Sequence, residues 1–139
     1  MAFGAPLVAR NLLGFTPLHV AAGAADKKDV LSVLLECRLV WENVNAKTNE
    51  GYTAFMIAVE EWNYPAMMTM FECESSRNSL DIRAANHCGA TALHLAVEQG
   101  FIDAVYLLVA RDIGAMHVED FHGRTPLHTA LEQGLSFTV

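Results

Sequence analysis

Short amphipathic helices, arranged in pairs, are the elements that the pattern of apolar and polar positions predicts. In three segments a leucine is followed three residues later by an alanine, which places both on one helix face. These pairs are Leu18 and Ala21, Leu93 and Ala96, and Leu127 and Ala130. A second apolar segment follows two of them, at residues 30–35 and 104–108. This spacing predicts helix pairs that pack through their apolar faces.

The helix pairs repeat along the chain. Four segments align when the chain is compared with itself: GFTPLHVAA at 14–22, GYTAFMIAV at 51–59, GATALHLAV at 89–97 and GRTPLHTAL at 123–131. Their first glycines are 34 to 38 residues apart. A period of this size indicates stacked units, each of which packs against its neighbours. The repeat therefore dictates the fold, and single motifs are interpreted within it.

The recurring letters have local physical reasons. The leading glycines fit a tight turn in which a positive φ is favourable only for glycine. The threonine two positions later is placed to cap a helix, and Pro17 and Pro126 then occupy the first helical position, where no N–H is needed. Gly100 is expected to end a first helix in the left-handed conformation. Each unit is thus predicted to contain a turn, a cap and a helix.

The second unit departs from this pattern. Ala54 replaces proline, Met56 replaces histidine, and Trp62 stands where a capping glycine is expected. Methionines also fill its second helix at positions 67, 68 and 70, and we expect an adaptable layer of core there. A methionine-rich binding surface is the alternative. The polar residues 74–79 predict a solvated loop.

The pattern G-x-T-P-L-H-x-A resembles the ankyrin repeat, and the resemblance runs from about Val8 to Val139. It implies an all-α ankyrin-repeat solenoid of about 3.5 repeats, with helix-turn-helix units joined by β-hairpin-like loops. We place the repeats at about 10–46, 47–84, 85–118 and, in part, 119–139, in a single domain covering residues 1–139. The resemblance also implies a structural role for His19, His94 and His128, bonded to the capping threonine and to nearby backbone.

Composition and charge limit the cellular compartments and the classes of binding partner that are expected. The 139 residues are 53% hydrophobic and 18% charged, which is close to globular averages and excludes a disordered chain. The formal net charge of −7 argues against nucleic acid and against an anionic membrane surface, because both attract basic residues. The three cysteines, Cys37, Cys73 and Cys88, are odd in number and predict reduced thiols. No apolar run is long enough to span a bilayer, and no signal peptide is expected. We therefore expect a cytoplasmic or nuclear protein.

Motifs for catalysis, cofactors and metals are absent from the sequence. It contains no GxSxG, phosphate-binding loop, dinucleotide fingerprint or HExxH. His87 with Cys88, and His117 with His122, are incomplete as zinc sites because neither forms a four-ligand set, and we interpret them as hairpin residues. The expectation is no enzymatic activity, no cofactor and no metal.

The resemblance implies that partners bind at the concave face, which ankyrin-like stacks form from hairpin tips and first helices. The residues that map there are Phe15, Asn49, Glu50, Tyr52, Glu60, Glu61, His87, Glu98, Gln99, Phe121, His122, Arg124 and Glu132. The glutamates at 60 and 61, 98 and 132 share one register, so stacking would align them as an acidic stripe beside three aromatic residues. Such a stripe suits a protein partner with an extended basic segment. An ordinary solvated face is the alternative.

The expected function is protein–protein recognition without catalysis. The strings HLAVEQG and EDFHGRTPLHTALEQG are similar to inhibitors of NF-kappaB, which mask Rel-type transcription factors, and the ankyrin region of Notch-type receptors is a second similarity. The alternative is a targeting segment of a larger enzyme or effector. The apolar Leu127 and Leu131 of the last unit lack a second helix to cover them. We therefore expect either a fragment of a longer array or an end that is buried in a partner or, by self-association, in a second copy.

Overall fold

Pairs of short helices stack in series in the computed structural model, which describes residues 10–24, 28–36, 44–77 and 80–132. The first helices of the four units are α1 (Pro17–Gly23), α3 (Ala54–Glu60), α5 (Ala92–Gln99) and α7 (Pro126–Glu132). The second helices of the first three units are α2 (Lys28–Glu36), α4 (Tyr64–Arg77) and α6 (Ile102–Arg111), and a 3₁₀ turn follows at Ile113–His117. Within the described ranges no strand forms. The all-α solenoid that the sequence predicts is confirmed.

The stacking runs through the first helices. Helix α1 packs on α3, α3 on α5, and α5 on α7, while α2 packs on α4 along the other side of the stack. Inside each of the first three units, the first helix also packs against its own second helix. Each unit therefore depends on its neighbours for burial, which is the packing expected of a solenoid. No helix in the described part of the chain is both long and apolar enough to cross a membrane.

Threonine caps begin the first helices as predicted. Thr16, Thr53 and Thr91 have extended backbone, and each side chain accepts a hydrogen bond from the backbone N–H three residues later. In the first and third units the residue at that third position is a histidine, whose ring nitrogen accepts from the threonine N–H and completes a reciprocal cap. Pro17 occupies the first helical position of α1, where its missing N–H leaves no bond unmade.

The first helices of the second and third units end in the left-handed conformation, but with different residues. Gly100 has φ of 69°, as predicted, whereas the second unit places Trp62 at φ of 57°. Among the described residues, Trp62 is the one non-glycine residue with positive φ. The left-handed region costs such a residue about 1–2 kcal/mol. The indole offsets this by stacking on Phe101, with ring centroids 4.8 Å apart, and by donating from Nε1 to Gln99 Oε1.

The predicted loop at residues 74–79 was wrong for most of its length. Helix α4 continues through position 77, and residues 78 and 79 lie outside the described ranges. Polar content alone does not stop a helix. After Pro65, which is tolerated in the first turn, α4 contains no glycine or proline, so elongation continues at one hydrogen bond per residue.

The methionines of the second unit form core. Met56, Met67 and Met70 are at most 1% exposed, and Met68 is half-buried. The three buried methionines belong to the same core cluster as Phe55, whose ring lies 5.1 Å from that of Phe71, centroid to centroid. The interpretation of this unit as a methionine-rich core layer is confirmed by this burial, and the alternative of a methionine-rich binding surface is not supported.

Candidate functional site

Capped turns hold the hairpin tips that line the concave face. Three residues before each leading glycine stands a residue with a side-chain oxygen: Asn11, Thr48, Asn86 and Asp120. In the first, third and fourth units this oxygen accepts two backbone N–H groups, at distances of 2.8–3.1 Å. In the second unit the threonine hydroxyl accepts one, from the Tyr52 N–H at 3.2 Å. These bonds give the tips a defined shape. The sequence contained this signal at a constant offset, but we did not predict it.

Consecutive tips are joined by one recurring backbone hydrogen bond. The N–H two residues before the glycine donates to the carbonyl one residue before the preceding unit's glycine. The three bonds are Asn49 N to Leu13 O at 3.0 Å, His87 N to Glu50 O at 3.2 Å and Phe121 N to Cys88 O at 3.1 Å. The tips therefore lie side by side, and the face that they form is continuous from unit to unit.

The repeated histidines are structural, as the resemblance implied. His19 Nδ1 lies 3.1 Å from Thr16 N and 2.8 Å from Thr16 Oγ1, while its Nε2 lies 2.9 Å from Ala46 O. Because a carbonyl only accepts, Nε2 carries the proton and donates, and Nδ1 accepts. Burial lowers the pKa of His19, which keeps the ring neutral and the pattern intact. His94 bonds in the same way to Thr91 and to Arg124 O.

A groove with a volume of about 610 Å³ lies on the concave face between the first two units. Side chains from two hairpin tips and from helices α1 and α3 surround it. The tips contribute Leu13, Phe15, Thr48, Asn49, Glu50 and Tyr52, and the helices contribute His19, Val20, Gly23, Ile57, Glu60 and Glu61. Its lining thus combines apolar and aromatic side chains with three carboxylates, those of Glu50, Glu60 and Glu61. We name it the concave groove.

The carboxylates of the concave groove repel one another. Burial, and then the charges of Glu98 and Glu61, raise the pKa of Glu60. Burial and the charge of Glu60 raise the pKa of Tyr52 in turn. Glu60 therefore interacts with a glutamate of the next unit and with an aromatic residue at the tip. No ion pair engages Glu60, Glu61 or Glu98 within the described residues.

Comparison with known proteins agrees with this geometry. The family model for ankyrin repeats in three copies matches residues 70–139, and the model for a single ankyrin repeat matches residues 13–49. The chain belongs to the ankyrin repeat family. This assignment accounts for the threonine caps, for the histidine bonds and for the stacked tips of the ankyrin units described above.

Several regulatory proteins are similar to this ankyrin chain. It is 32% identical over 133 residues to the mouse nuclear factor NF-kappa-B p105 subunit, covering 94% of this chain and 13% of that protein. It is 33% identical over 124 residues to the mouse B-cell lymphoma 3 protein homolog, covering 88% and 26%. It is 30% identical over 129 residues to the NF-kappa-B inhibitor cactus of Drosophila melanogaster, covering 93% and 23%. The ankyrin chain thus spans a quarter or less of two of these relatives and 26% of the third.

The concave groove brings together six of the thirteen residues that the sequence mapped to this ankyrin face: Phe15, Asn49, Glu50, Tyr52, Glu60 and Glu61. Glu98 is the next carboxylate along, close enough to raise the pKa of Glu60. The acidic stripe stays a prediction. The side chain of Glu132, at the end of α7, lies outside the described part of the structure.

The remaining mapped residues lie outside the groove. His87, Phe121 and His122 are exposed in later tips, with Phe121 at 75% exposure. Gln99 accepts from the Trp62 indole, and Arg124 pairs with the buried Asp120 through Nε and Oδ2 at 3.2 Å. The prediction that His117 lies in a hairpin was wrong, because His117 ends the 3₁₀ turn. No group of three or more metal-ligating side chains occurs in the described ranges.

The apolar floor of the groove was missed from the sequence. Val20 and Ile57 occupy the same position of successive ankyrin units, six residues after the glycine, and Val20 is 57% exposed. The sequence carried a signal for this position, because it directly follows the repeated histidine, which is His19 in the first unit and is replaced by Met56 in the second. It was overlooked because an apolar residue in a helix is usually core. Here both side chains line the concave groove.

Replacing Glu60 with glutamine is expected to raise the free energy of unfolding at about pH 7 by about 0.5 kcal/mol, since it removes like-charge repulsion. The folded-state pKa of Glu60 is raised, so the folded protein binds more protons than the unfolded chain between the two pKa values. Wild-type stability therefore falls as the pH rises through this window, and the stability advantage of Glu60→Gln disappears in acid.

Urea unfolding of wild type and Glu60→Gln at about pH 7 and about pH 3.5 measures the difference in the free energy of unfolding at each pH. Glu36→Gln, outside the groove, is the control, and an equal gain in both variants would contradict the repulsion.

Proposed function

We propose that the chain is a protein-interaction module whose concave groove binds an extended basic segment of a partner protein. Ankyrin repeats bind protein partners, so the module itself follows from the family. The observation that supports the basic partner is the unneutralised carboxylate cluster of Glu60, Glu61 and Glu98. A cation arriving there relieves repulsion that the folded protein already carries.

The groove and the cluster suit two parts of one ligand side chain. The floor of Val20 and Ile57 and the ring of Tyr52 contact an alkyl stem, and the rim glutamates receive the charged end. Lysine and arginine have this form. The proximity of Glu98 to Glu60 extends the negative surface toward the third unit, so a second basic residue further along the segment would also be stabilised.

The regulation of a transcription factor is the role that we propose for this binding. An NF-kappa-B subunit and an NF-kappa-B inhibitor are among the relatives, at 32% and 30% identity. A partner of this type would place the protein in the cytoplasm or the nucleus. In this proposal the repeats carry no catalytic residues.

The alternative is a targeting segment of a larger enzyme or effector. One observation favours it: the chain spans only 13% of one relative and 26% of another, so arrays of this kind occur within much longer proteins. In that case the concave groove would select the substrate for a catalytic part elsewhere. Determining the full open reading frame separates the two proposals, because a flanking catalytic domain favours the second.

Selection from a random library of linear peptides displayed on phage tests the concave groove directly. Wild-type protein is expected to enrich peptides that combine lysine or arginine with apolar residues. The double variant Glu60→Lys/Glu61→Lys is expected to bind the selected peptides at least about tenfold more weakly, with the difference decreasing as salt is added.

The matched control is Glu36→Lys/Glu119→Lys, which changes the net charge equally through exposed glutamates that do not line the groove. The control is expected to bind nearly as well as wild type in moderate salt, because distant surface charges are screened. Enrichment of acidic peptides, or equal losses in the two variants, would show that the groove does not recognise a basic segment.

A further inference from the structure

The indole of Trp62 stays half exposed although two contacts fix its orientation. One face of the ring stacks on Phe101, with centroids 4.8 Å apart and planes inclined at 17°, and Nε1 donates to Gln99 Oε1 at 3.3 Å. Phe101 is itself buried and meets the ring of Tyr64 edge to face, 6.3 Å away between centroids. Because one face is covered and the side chain is still 51% exposed, the opposite face supplies much of the accessible area.

The backbone of Trp62 carries a cost that glycine would avoid. Its φ of 57° lies in the left-handed region, where the third unit has Gly100 at φ of 69°. Glycine adopts this conformation freely and tryptophan does not. The stack on Phe101 accounts for one face of the ring only. A strained residue with a large accessible ring is a reason to look for a ligand on the other face.

Carboxylates flank this ring along the chain. Glu61 directly precedes Trp62, and Gln99, which accepts from the indole, directly follows Glu98. The charges of Glu98 and Glu61 both raise the pKa of Glu60, so the three glutamates form one negative surface. Within the described ranges no ion pair neutralises them. Trp62 and Glu98 do not line the concave groove, whereas Glu61 does. We name Trp62, Glu98 and the bordering Glu61 the indole site.

We propose that the indole site binds an arginine side chain of the partner's basic segment and that Trp62 selects arginine over lysine there. This rests on the proposed function, because the arginine is the second basic residue of the segment described above. A guanidinium is planar and weakly hydrated, so it lies flat on an aromatic ring. Its N–H donors then point outward in its own plane, toward the carboxylates of Glu61 and Glu98.

Lysine fits the indole site less well. Its ammonium is compact and strongly hydrated, so contact with the indole face requires the loss of bound water. Its three donors surround one nitrogen, and some of them point at the ring when the charge lies over it. Phe101 and Gln99 already hold the indole in place, so little side-chain freedom is lost when a guanidinium stacks. The preference for arginine therefore comes from shape and hydration, since both ligands carry the same charge.

Hexa-arginine and hexa-lysine peptides test this selectivity, because they have equal charge and differ in the cationic group. In calorimetric titrations in about 0.15 M salt, the full 139-residue wild type is expected to bind hexa-arginine about two- to fivefold more tightly. Its tryptophan fluorescence is expected to change on binding. Trp62→Gly keeps a residue suited to the left-handed backbone and removes the ring, so it is expected to lose most of the preference and of the fluorescence change.

Tyr106→Ala is the matched control, since Tyr106 is a 66% exposed aromatic residue on α6 that does not line the concave groove. This control is expected to keep the wild-type preference for arginine. Circular dichroism checks the fold of each variant, and Trp62→Asn, which also tolerates the left-handed region, is used if the glycine variant does not fold. An undiminished preference in the Trp62 variant, or an equal loss in Tyr106→Ala, would overturn the proposal.

The groove variant Glu60→Lys/Glu61→Lys separates this proposal from the proposed function. It is expected to bind both peptides more weakly than wild type. A wild type that binds the two peptides equally well, with both weakened in the groove variant, would overturn the selection of arginine and leave the groove as a basic-segment site. A wild type that binds neither peptide would overturn both proposals.

Discussion

Replacing Phe55 with alanine is expected to lower the free energy of unfolding by about 3–5 kcal/mol, the range for removing a buried aromatic side chain. Phe55 is 1% exposed, lies on the helix that packs against both α1 and α5, and contacts the Phe71 ring of α4. Methionines of the same core cluster can relax into part of the cavity, but they cannot replace the lost area. Total stabilities are about 5–15 kcal/mol, so this loss is a large fraction.

Urea unfolding of Phe55→Ala at neutral pH measures this change, with Val33→Ala as the control. Val33 is 67% exposed on α2, and its truncation is expected to cost under about 0.5 kcal/mol. Because units of a solenoid depend on neighbour contacts, the Phe55 variant is also expected to unfold over a broader range of denaturant. A loss below about 1 kcal/mol would contradict the burial and close packing of the Phe55 side chain.

Replacing Gly89 with alanine is expected to cost about 3 kcal/mol, through two separable causes. Gly89 has φ of 79°, which costs an alanine about 1–2 kcal/mol by itself. The added Cβ would also lie 2.6 Å from the backbone nitrogen of Phe121, so the fourth tip must shift away. That shift breaks the bond from Phe121 N to Cys88 O, worth about 1 kcal/mol, and loosens the last joint.

Gly123→Ala is the matched control for Gly89→Ala. Its φ is 75°, nearly the same, and no atom lies within 4 Å of the added Cβ, so it is expected to cost only the strain of about 1–2 kcal/mol. Urea unfolding of both variants is compared under the same conditions. Equal losses would contradict a close approach of the fourth tip to Gly89.

The local steps of the fold could be predicted because they depend on neighbouring residues. A threonine cap followed by proline or histidine is recognisable within a few letters, and Thr16 and Thr91 form their caps as expected. Trp62 shows the limit of such rules. A tryptophan in the left-handed region contradicts local preference, and two contacts with the next unit, the Phe101 ring and Gln99 Oε1, compensate for it.

The candidate site could be predicted in part. A constant offset from each glycine put Phe15, Tyr52 and Glu60 on one face, and the concave groove contains all three. The same offset could not show that a groove forms between the first two units, because a groove depends on which side chains meet across units. It also could not show that Phe121, in the fourth unit, is 75% exposed.

The sequence by itself determined the period, the turns, the caps and the all-α class, because these follow from backbone preferences and from spacing along the chain. The tertiary structure decided which residues become neighbours across units. It brought Glu98 toward Glu60 and placed Val20 and Ile57 together in the lining of the concave groove. The physical reason is that stacking sets these distances, and stacking depends on how every unit packs against the next. Only the folded stack therefore shows where part of the net charge of −7 is concentrated, at Glu60, Glu61 and Glu98.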